Sequence, residues 1–580
     1  MISQILGFIF NERKVLLIVL VVAGLSINAQ ELQWARSNGG SNSFTVSHSI
    51  TSDKFGNLYT VGQFQDTVDF DPGPNELKRI SKGETDFFIQ KLDSNGGLVW
   101  VQTFGDSSHD VATFVKTDGD NLIVGGHFKG KIDCDFSPDT TYLSNKSDNP
   151  LMFILKLNLN GDLIWAIQNE EVAKYSYSSP TNFELNNIGE IFISGNFGDS
   201  VDFDPSINTE IREGKGIMQD VFVCKLDSNG KFRWVKTFGS MGYDRCSLSL
   251  DKKNSIYVSG QFTDTFCFEL DTGIFELYAA GGGIFAPDIF VLKLDSSGKF
   301  IWAKRFGDFG IDQSSSINVG NSNAIYIAGN FQGKVDFDPD TTNYFARASW
   351  TDIFLLKLDS SGNFFWVKTF GGSGIDLVHS IEIDNQEMIY LTGEFEDTVN
   401  FNVNSFSIPS ISKVHNDGYV LKLNRNGVSE WVGTFECNWG VGMYQVSVDD
   451  SENIYLCGYY GDSIDVDPDF TNNFLVALGR SGDGMSIKLG RKKYSYIFEK
   501  NETVNASIFP NPSSGVLDIR AMTSISSISV INLSGEVLLT QKAYGNSTKV
   551  DLTQLSNGTY VLKIALTSGD FITRKVIVSN

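Results

Sequence analysis

The chain is poor in basic residues: 46 Lys and Arg stand against 69 Asp and Glu over 580 residues, a formal net charge of −23. A nucleic-acid groove must neutralise phosphates, so this balance excludes a nucleic-acid partner. Proline is scarce at 12 residues while glycine reaches 56, which excludes Pro-rich linkers and points to many tight turns. There are five histidines, and neither Gly-x-Ser-x-Gly nor His-Glu-x-x-His occurs, so two familiar hydrolytic motifs are missing. The six cysteines, Cys134, Cys224, Cys246, Cys267, Cys437 and Cys457, form no Cys-x-x-Cys pair. That leaves no zinc pattern, while disulfide pairing and simple burial both remain open. Apolar residues are plentiful at 41%, with 45 Phe, which excludes general disorder.

The one sustained apolar run, Val15 to Leu25, falls well short of the ~20 residues that span a bilayer as a helix. It follows Arg13-Lys14 and precedes Ser26-Ile27-Asn28-Ala29-Gln30. A basic flank, a short apolar stretch and a small residue before a polar one predict a secretory signal peptide over residues 1–29. The mature chain is then exported and contains no transmembrane segment.

Self-similarity runs through most of the remaining chain. Lys-Leu recurs at Lys91, Lys156, Lys225, Lys293, Lys357, Lys422 and Lys488, and after the first six a Trp stands nine positions on: Trp100, Trp165, Trp234, Trp302, Trp366 and Trp431. Gly-x-Phe/Tyr recurs at Gly62, Gly126, Gly195, Gly260, Gly329, Gly393 and Gly458, at intervals of 64 to 69 residues. Each unit reads as four short strands, because apolar, β-branched and aromatic runs alternate with Gly, Asn and Asp. Turns such as Asp93–Gly96, Asp227–Gly230, Asp295–Gly298 and Asp359–Gly362 suit tight chain reversal. The seventh Lys-Leu lacks its Trp, whereas Trp34 lacks a Lys-Leu before it. The N-terminal strand is therefore expected to complete the last unit beside Met485 to Leu489 and close a ring without free edges.

These residues carry a resemblance. The unit from Asp352-Ile353-Phe354 through Lys357-Leu358-Asp359 and Trp366 to Asp376 is similar to the seven-bladed β-propeller repeat of secreted bacterial proteins, over roughly residues 31–490. The resemblance implies that the strand before Asp384 is innermost, Ile389-Tyr390-Leu391 second, the Lys-Leu strand third and the Trp strand outermost. An added Asp-Phe-Asp-Pro segment after the second strand departs from that pattern. The expected fold is all-β: a seven-bladed propeller over 30–490, a linker over 491–504 and a small β-sandwich over 505–580.

The last segment has motifs of its own: Phe509-Pro510-Asn511-Pro512, Gly515, Leu533-Ser534-Gly535, Asp551-Leu552, Asn557-Gly558-Thr559-Tyr560 and a final strand at Lys575. It closely resembles the C-terminal sorting domain of type IX secretion in Bacteroidetes. The resemblance implies passage through the periplasm, recognition by the type IX translocon, and release or attachment at the outer-membrane surface. Pro510, Asn511, Pro512, Gly515, Gly535, Gly558, Tyr560 and Lys575 are the sorting-motif residues.

Loops after the second and fourth strands of every unit emerge on one face, since antiparallel strands alternate direction. They carry Asp69 and Asp71, Asp202 and Asp204, Asp336 and Asp338, and Asp465 and Asp467, with Asp133 and Asp135 as a variant, while Asp110, Asp244, Asp312 and Asp376 join the units. Asp-Phe-Asp places two carboxylates on one side of a strand, a candidate calcium site. The competing reading is that the first Asp faces solvent and the second caps the turn at Pro. That reading is preferred, because no Asp-x-Asp-x-Asp-Gly loop is present. Calcium is the only cofactor the sequence suggests. His48 and His379 share one position on the innermost strand and read as packed side chains.

The repeated residues thus have structural roles, and the expectation is a non-catalytic, exported binding or adhesion propeller whose partner is an extracellular protein or glycan. The alternative is a secreted glycosidase or lyase. The turn before each Trp bears a superficial likeness to the Asp box of sialidases, but Gly follows Asp by three residues rather than two, and no arginine cluster accompanies it.

Overall fold

A computed structural model describes residues 30–491 and 506–578, apart from 138–139, 216–217, 271–272, 282–285, 339–342, 402–409, 413–414, 469–472, 480–481, 512, 514, 522, 533–536 and 568–570. The expected signal peptide and almost all of the expected linker lie outside the described residues. The chain divides into two compact units, Met1–Lys492 and Lys493–Asn580.

The first unit is built from seven antiparallel blades of four strands, two of which continue into the next blade's hairpin as six-stranded sheets. Blade 1 is typical: Phe44–Ser52 is innermost, followed outward by Leu58–Gln65, Asp86–Leu92 and Leu98–Phe104. Blades 2 to 6 follow in order, and blade 7 consists of Val441–Val448, Ile454–Tyr460, Asp483–Arg491 and the N-terminal strand Gln30–Asn38. Ring closure is therefore as expected, with Trp34 opposite Lys488.

The nine-residue Lys-to-Trp spacing is a cross-strand pair. Lys91 faces Trp100, Lys293 faces Trp302 and Lys357 faces Trp366, with a bulge immediately after each lysine. Each lysine lies over a second-strand aromatic, as Lys293 does over Tyr257 at 4.7 Å, and then crosses to the next blade. Lys91 Nζ donates to Leu159 O at 3.0 Å, Lys293 Nζ to Ser360 O at 3.1 Å and Lys357 Nζ to Arg425 O at 3.1 Å. The outermost Trp covers the glycine of that same neighbouring turn. Gly298 has φ +82°, and a Cβ there would stand 3.1 Å from the Trp234 ring, so both backbone and space call for glycine. At the closure the contacts repeat: Lys488 Nζ and Trp34 Nε1 both donate to Ser94 O, at 3.2 and 3.0 Å, and Trp34 covers Gly96.

The apolar cores lie between blades. One cluster joins Val61 and Phe87 of blade 1 to Val124 and Phe153 of blade 2, and another joins Trp34 and Tyr455 of blade 7 to Ile50 and Leu58 of blade 1. A blade removed from the ring would expose both faces, which is why the units stand only together.

Every blade also carries a two-stranded hairpin after its second strand, where the sequence pattern suggests only a longer loop. In blade 1 it is Thr67–Asp69 with Lys78–Ile80, and in blade 7 Ser463–Asp465 with Phe474–Val476. The pivot into each hairpin is left-handed: Asp66, Asp199, Asp264, Asp397 and Asp462 have φ between 52° and 63°, and Gly130 and Gly333 take the same place. Aspartate tolerates this region better than most residues. Several hairpins then bridge to the tail of the preceding blade's outermost strand, as at Gly39 with Asp69, Glu170 with Asp202 and Gly371 with Asn400.

The second unit pairs a sheet of Ala506–Phe509, Val516–Ala521 and Ser547–Asp551 with one of Ile525–Ile531, Val537–Lys542, Gly558–Leu566 and Phe571–Val578. Leu517, Ile519, Ile528, Val550, Leu562 and Val576 share one core between them, the sandwich that the alternating pattern predicts.

Trp34→Ala should lower unfolding free energy by about 3 kcal/mol, comparable to Trp302→Ala at an interior blade, as read from urea midpoints. A much smaller loss for Trp34→Ala would mean that the ends do not seal the ring.

Candidate functional site

The innermost strands line an axial channel, and a bulge shapes its lining. In six blades the pairing with the second strand shifts at one position, which skips His48, Thr113, Thr181, Ser315, His379 and Tyr444. In blade 4 the strands pair without a shift. A bulge re-aims the extra residue, and all six border a channel cavity of 470 Å³. Neighbouring inner strands are stitched by side chains: Gln445 Oε1 accepts Ile50 N–H at 2.8 Å, Ser49 Oγ accepts Val115 N–H at 3.1 Å, and Thr181 Oγ1 donates to Cys246 O at 2.6 Å.

The bulge residues are not alike around the ring. Blades 6, 7 and 1 contribute His379, Tyr444 and His48, with ring centroids 5.5 Å apart for His379–Tyr444 and 5.8 Å for Tyr444–His48. Tyr459 extends the aromatic shelf at 5.8 Å from Tyr444. Blades 2, 3 and 5 contribute hydroxyls. His109 and His127 stand 6.2 Å apart, with their Nδ1 atoms bonded to Thr85 Oγ1 at 2.5 Å and Ser179 Oγ at 2.9 Å. Burial, with the neighbouring His109, pushes His48 down to about 4. Burial, with His109 and His48, pushes His127 down to about 3. Both are neutral imidazoles at pH 7. Further along the channel Lys116 Nζ pairs with Glu184 Oε1 at 2.5 Å. Near them burial raises Glu382 to about 7, against the pull of Lys116 and with the push of Glu184.

The sequence-predicted aspartates lie elsewhere, in the hairpins. Asp69 Oδ1 accepts the N–H of Asp71 at 3.1 Å and of Leu77 at 2.8 Å, and Asp71 Oδ1 accepts Gly73 N–H at 2.8 Å. Asp133, Asp202, Asp336 and Asp465 repeat the first pattern onto the residues two and eight positions on. Asp204 and Asp135 repeat the second, while Asp338 and Asp467 donate their N–H groups to the aspartates before them. The first Asp thus closes the hairpin end rather than facing solvent, and these carboxylates act as turn caps. Among the described residues no group of three or more His, Cys, Asp or Glu is placed to hold a metal. Pro339 lies outside the described residues.

The blade-joining aspartates are fully buried. Asp110 accepts Asp106 N–H at 3.0 Å and Lys129 N–H at 3.1 Å, and Asp312 does the same for Asp308 and Gln332. Burial pushes Asp110, Asp312 and Asp376 up to about 7 and Asp86 and Asp220 up to about 6. Cys134, Cys224, Cys246, Cys437 and Cys457 are buried free thiols. Burial raises the thiols of Cys134 and Cys246 to about 12.

In the second unit, Pro510 follows a cis peptide, Asn511 Oδ1 accepts Ile577 N–H at 2.8 Å, and Gly515 has φ +149° with its carbonyl accepting Leu552 N–H at 2.6 Å. Gly558 opens the strand that carries Tyr560, and the buried Tyr560 donates to Ser556 O at 2.8 Å. Lys575 stands opposite Val561 in the last pair of strands. Pro512 and Gly535 lie outside the described residues.

Sequence reasoning found the shared position of His48 and His379 but missed Tyr444 between them and the gathering of four of the chain's five histidines. A usable signal was there: His48, His379 and Tyr444 each stand five residues before the turn aspartates Asp53, Asp384 and Asp449.

Residues 507–579 match the family described as "Secretion system C-terminal sorting domain". An uncharacterised WD repeat-containing protein of Acanthamoeba polyphaga mimivirus is 24% identical over 192 residues, covering 29% of this chain and 14% of its own length. Regulatory protein FlaEY of Caulobacter vibrioides is 22% identical over 253 residues, covering 42% and 24%. The chain thus spans a quarter or less of these curated relatives. Among solved structures, PorZ of Porphyromonas gingivalis, an essential surface component of the type IX secretion system, is 9% identical, covers 94% of this chain and 100% of its own, and has a TM-score of 0.17. Sqt1 of Chaetomium thermophilum is 10% identical, covering 74% and 97%, with a TM-score of 0.33. The sorting domain marks this chain as a secreted or cell-surface protein. No helix among the described residues is long and apolar enough to cross a membrane.

Two outcomes are expected of the aspartates. With folded values near 6 and 7 against an ordinary 3.8, the folded chain binds these protons more tightly between about pH 4 and 7, so stability rises as pH falls through that window. Asp118, Asp227, Asp295 and Asp359, all held below the ordinary range by hydrogen bonds that outweigh their burial, reverse the trend below about pH 4. His48 and His127, whose lowered values cost stability as pH falls below about 6.5, oppose the more numerous buried aspartates. The melting temperature should therefore peak near pH 4; a steady decline from pH 8 downward would contradict the assignment. Chelator treatment followed by calcium should leave the melting temperature unchanged, and a rise would mean that the hairpin carboxylates are ligands rather than caps.

Proposed function

We propose that this secreted propeller protein, delivered by its type IX sorting domain, is a non-catalytic binding protein for an extracellular glycan or protein. Its first 29 residues act as the inner-membrane export signal, and its last ~75 residues, an ordinary domain size, are the part the translocon recognises. One observation supports the reading most: the repeated Lys, Trp, Gly and Asp residues all hold the ring or its hairpins, while the side chains that break the repeat collect in the channel as His48, Tyr444 and His379. Rigid scaffold and localised variation are what a binding protein on a repeat fold requires.

A second reading, hydrolysis of an extracellular glycan, has one specific observation in its favour. Glu382, raised to about 7, lies within electrostatic reach of Glu184, which Lys116 pairs. A protonated acid near a second carboxylate is the arrangement of glycosidases.

Fractionation of the native host should find the chain outside the cell and shortened by its C-terminal domain; retention in the periplasm at full length would overturn the export reading. The mature protein should not turn over chromogenic glycosides. Turnover that Glu382→Gln abolishes would replace binding with hydrolysis.

A further inference from the structure

We infer that the channel cavity bounded by His48, Tyr444 and His379 is a saccharide-binding site that takes the pyranose end of a glycan. The inference rests on the proposed binding role and names its site and ligand class.

The volume sets the first limit. At 470 Å³ the cavity lies in the small-ligand range of roughly 300–1,000 Å³, enough for one or two sugar rings and far too small for a folded partner. The lining sets the second. Along blades 6, 7 and 1 the wall is aromatic, with imidazole and phenol faces next to one another. Along blades 2, 3 and 5 it is hydroxyl-bearing, through Thr113, Thr181 and Ser315. A pyranose has a matching duality, because its axial C–H groups make an apolar face while its rim of hydroxyls both donates and accepts.

Charge sets the third limit. Lys116 is already matched by Glu184, while Arg245 of blade 4 borders the same cavity and makes no ion pair among the described residues. The site therefore accepts a neutral ring and one that carries a carboxylate. A metal would meet no ligand set among the described residues.

The ring also explains why the site occurs once. The bulge that aims side chains inward is present in six blades, so the geometry is general. Only three consecutive blades fill it with π faces, and the hydroxyl-bearing blades supply the facing arc.

The test uses the mature full chain on a glycan array printed with neutral hexose and N-acetylhexosamine oligosaccharides beside sialylated and uronic-acid ones. Binding should appear on these saccharide termini, and Arg245→Ala should weaken it on acidic termini more than on neutral ones. Tyr444→Ala should weaken it by about tenfold, the scale of one aromatic stacking contact, while Tyr444→Phe keeps it within about threefold. Thr181→Trp, which fills the cavity from blade 3, across the ring from Tyr444, should abolish it and guards against a folding defect in Tyr444→Ala. Undiminished binding by Thr181→Trp would overturn the site while leaving the binding reading in place. Absence of any glycan signal, with retained binding to a protein on host cells, would overturn the inference and leave the broader reading standing.

Discussion

The structure depends on one kind of contact that recurs across the blade borders: a Trp laid over the glycine of the next blade's turn, with a lysine reaching a carbonyl of that turn at several of them. Trp34 over Gly96 and Lys488 to Ser94 O make it at the closure; Trp302 over Gly362 and Lys293 to Ser360 O make it inside the ring. Because the apolar clusters also straddle borders, each blade has little stability of its own. Lysine, tryptophan and the turn glycine recur for a reason outside their own sheet: each serves the neighbour.

A scaffold fixed from outside leaves its inner wall free to vary. The innermost strands form no shared backbone ladder across the channel, and their side chains stitch them only locally. One bulge in each of six inner strands adds an inward-facing residue without disturbing the outer latches. Function can therefore change at positions such as His48, Thr113 and Tyr444 while the ring stays intact. The hairpins play a different part. Their aspartates close them, their left-handed pivots aim them, and several bind the preceding blade's tail, so the acidic segments that look most like ligands are architectural.

The blade count, the strand order and the pairing of chain ends were legible because each has a local signature repeated seven times, down to the displaced Trp34. The sorting domain was legible from Pro510 to Tyr560 for the same reason, a dense run of motifs. The hairpins were half visible: Asp69-Phe70-Asp71-Pro72 announces a turn, but pairing of Thr67–Asp69 with Lys78–Ile80 has too few residues to leave a pattern. The channel cluster was least legible. A bulge adds one residue without a compositional mark, and Tyr444, His48 and His379 are scattered along the sequence until the ring brings blades 6, 7 and 1 together.

The central claim is tested most directly by amide hydrogen exchange in the strand Asp483–Arg491. Closure by Gln30–Asn38 makes it an interior strand, so its amides should exchange as slowly as those of Asp288–Leu294 in blade 4. Exchange orders of magnitude faster at Met485 to Leu489, at the rate of an open edge, would contradict a sealed ring and the channel built on it.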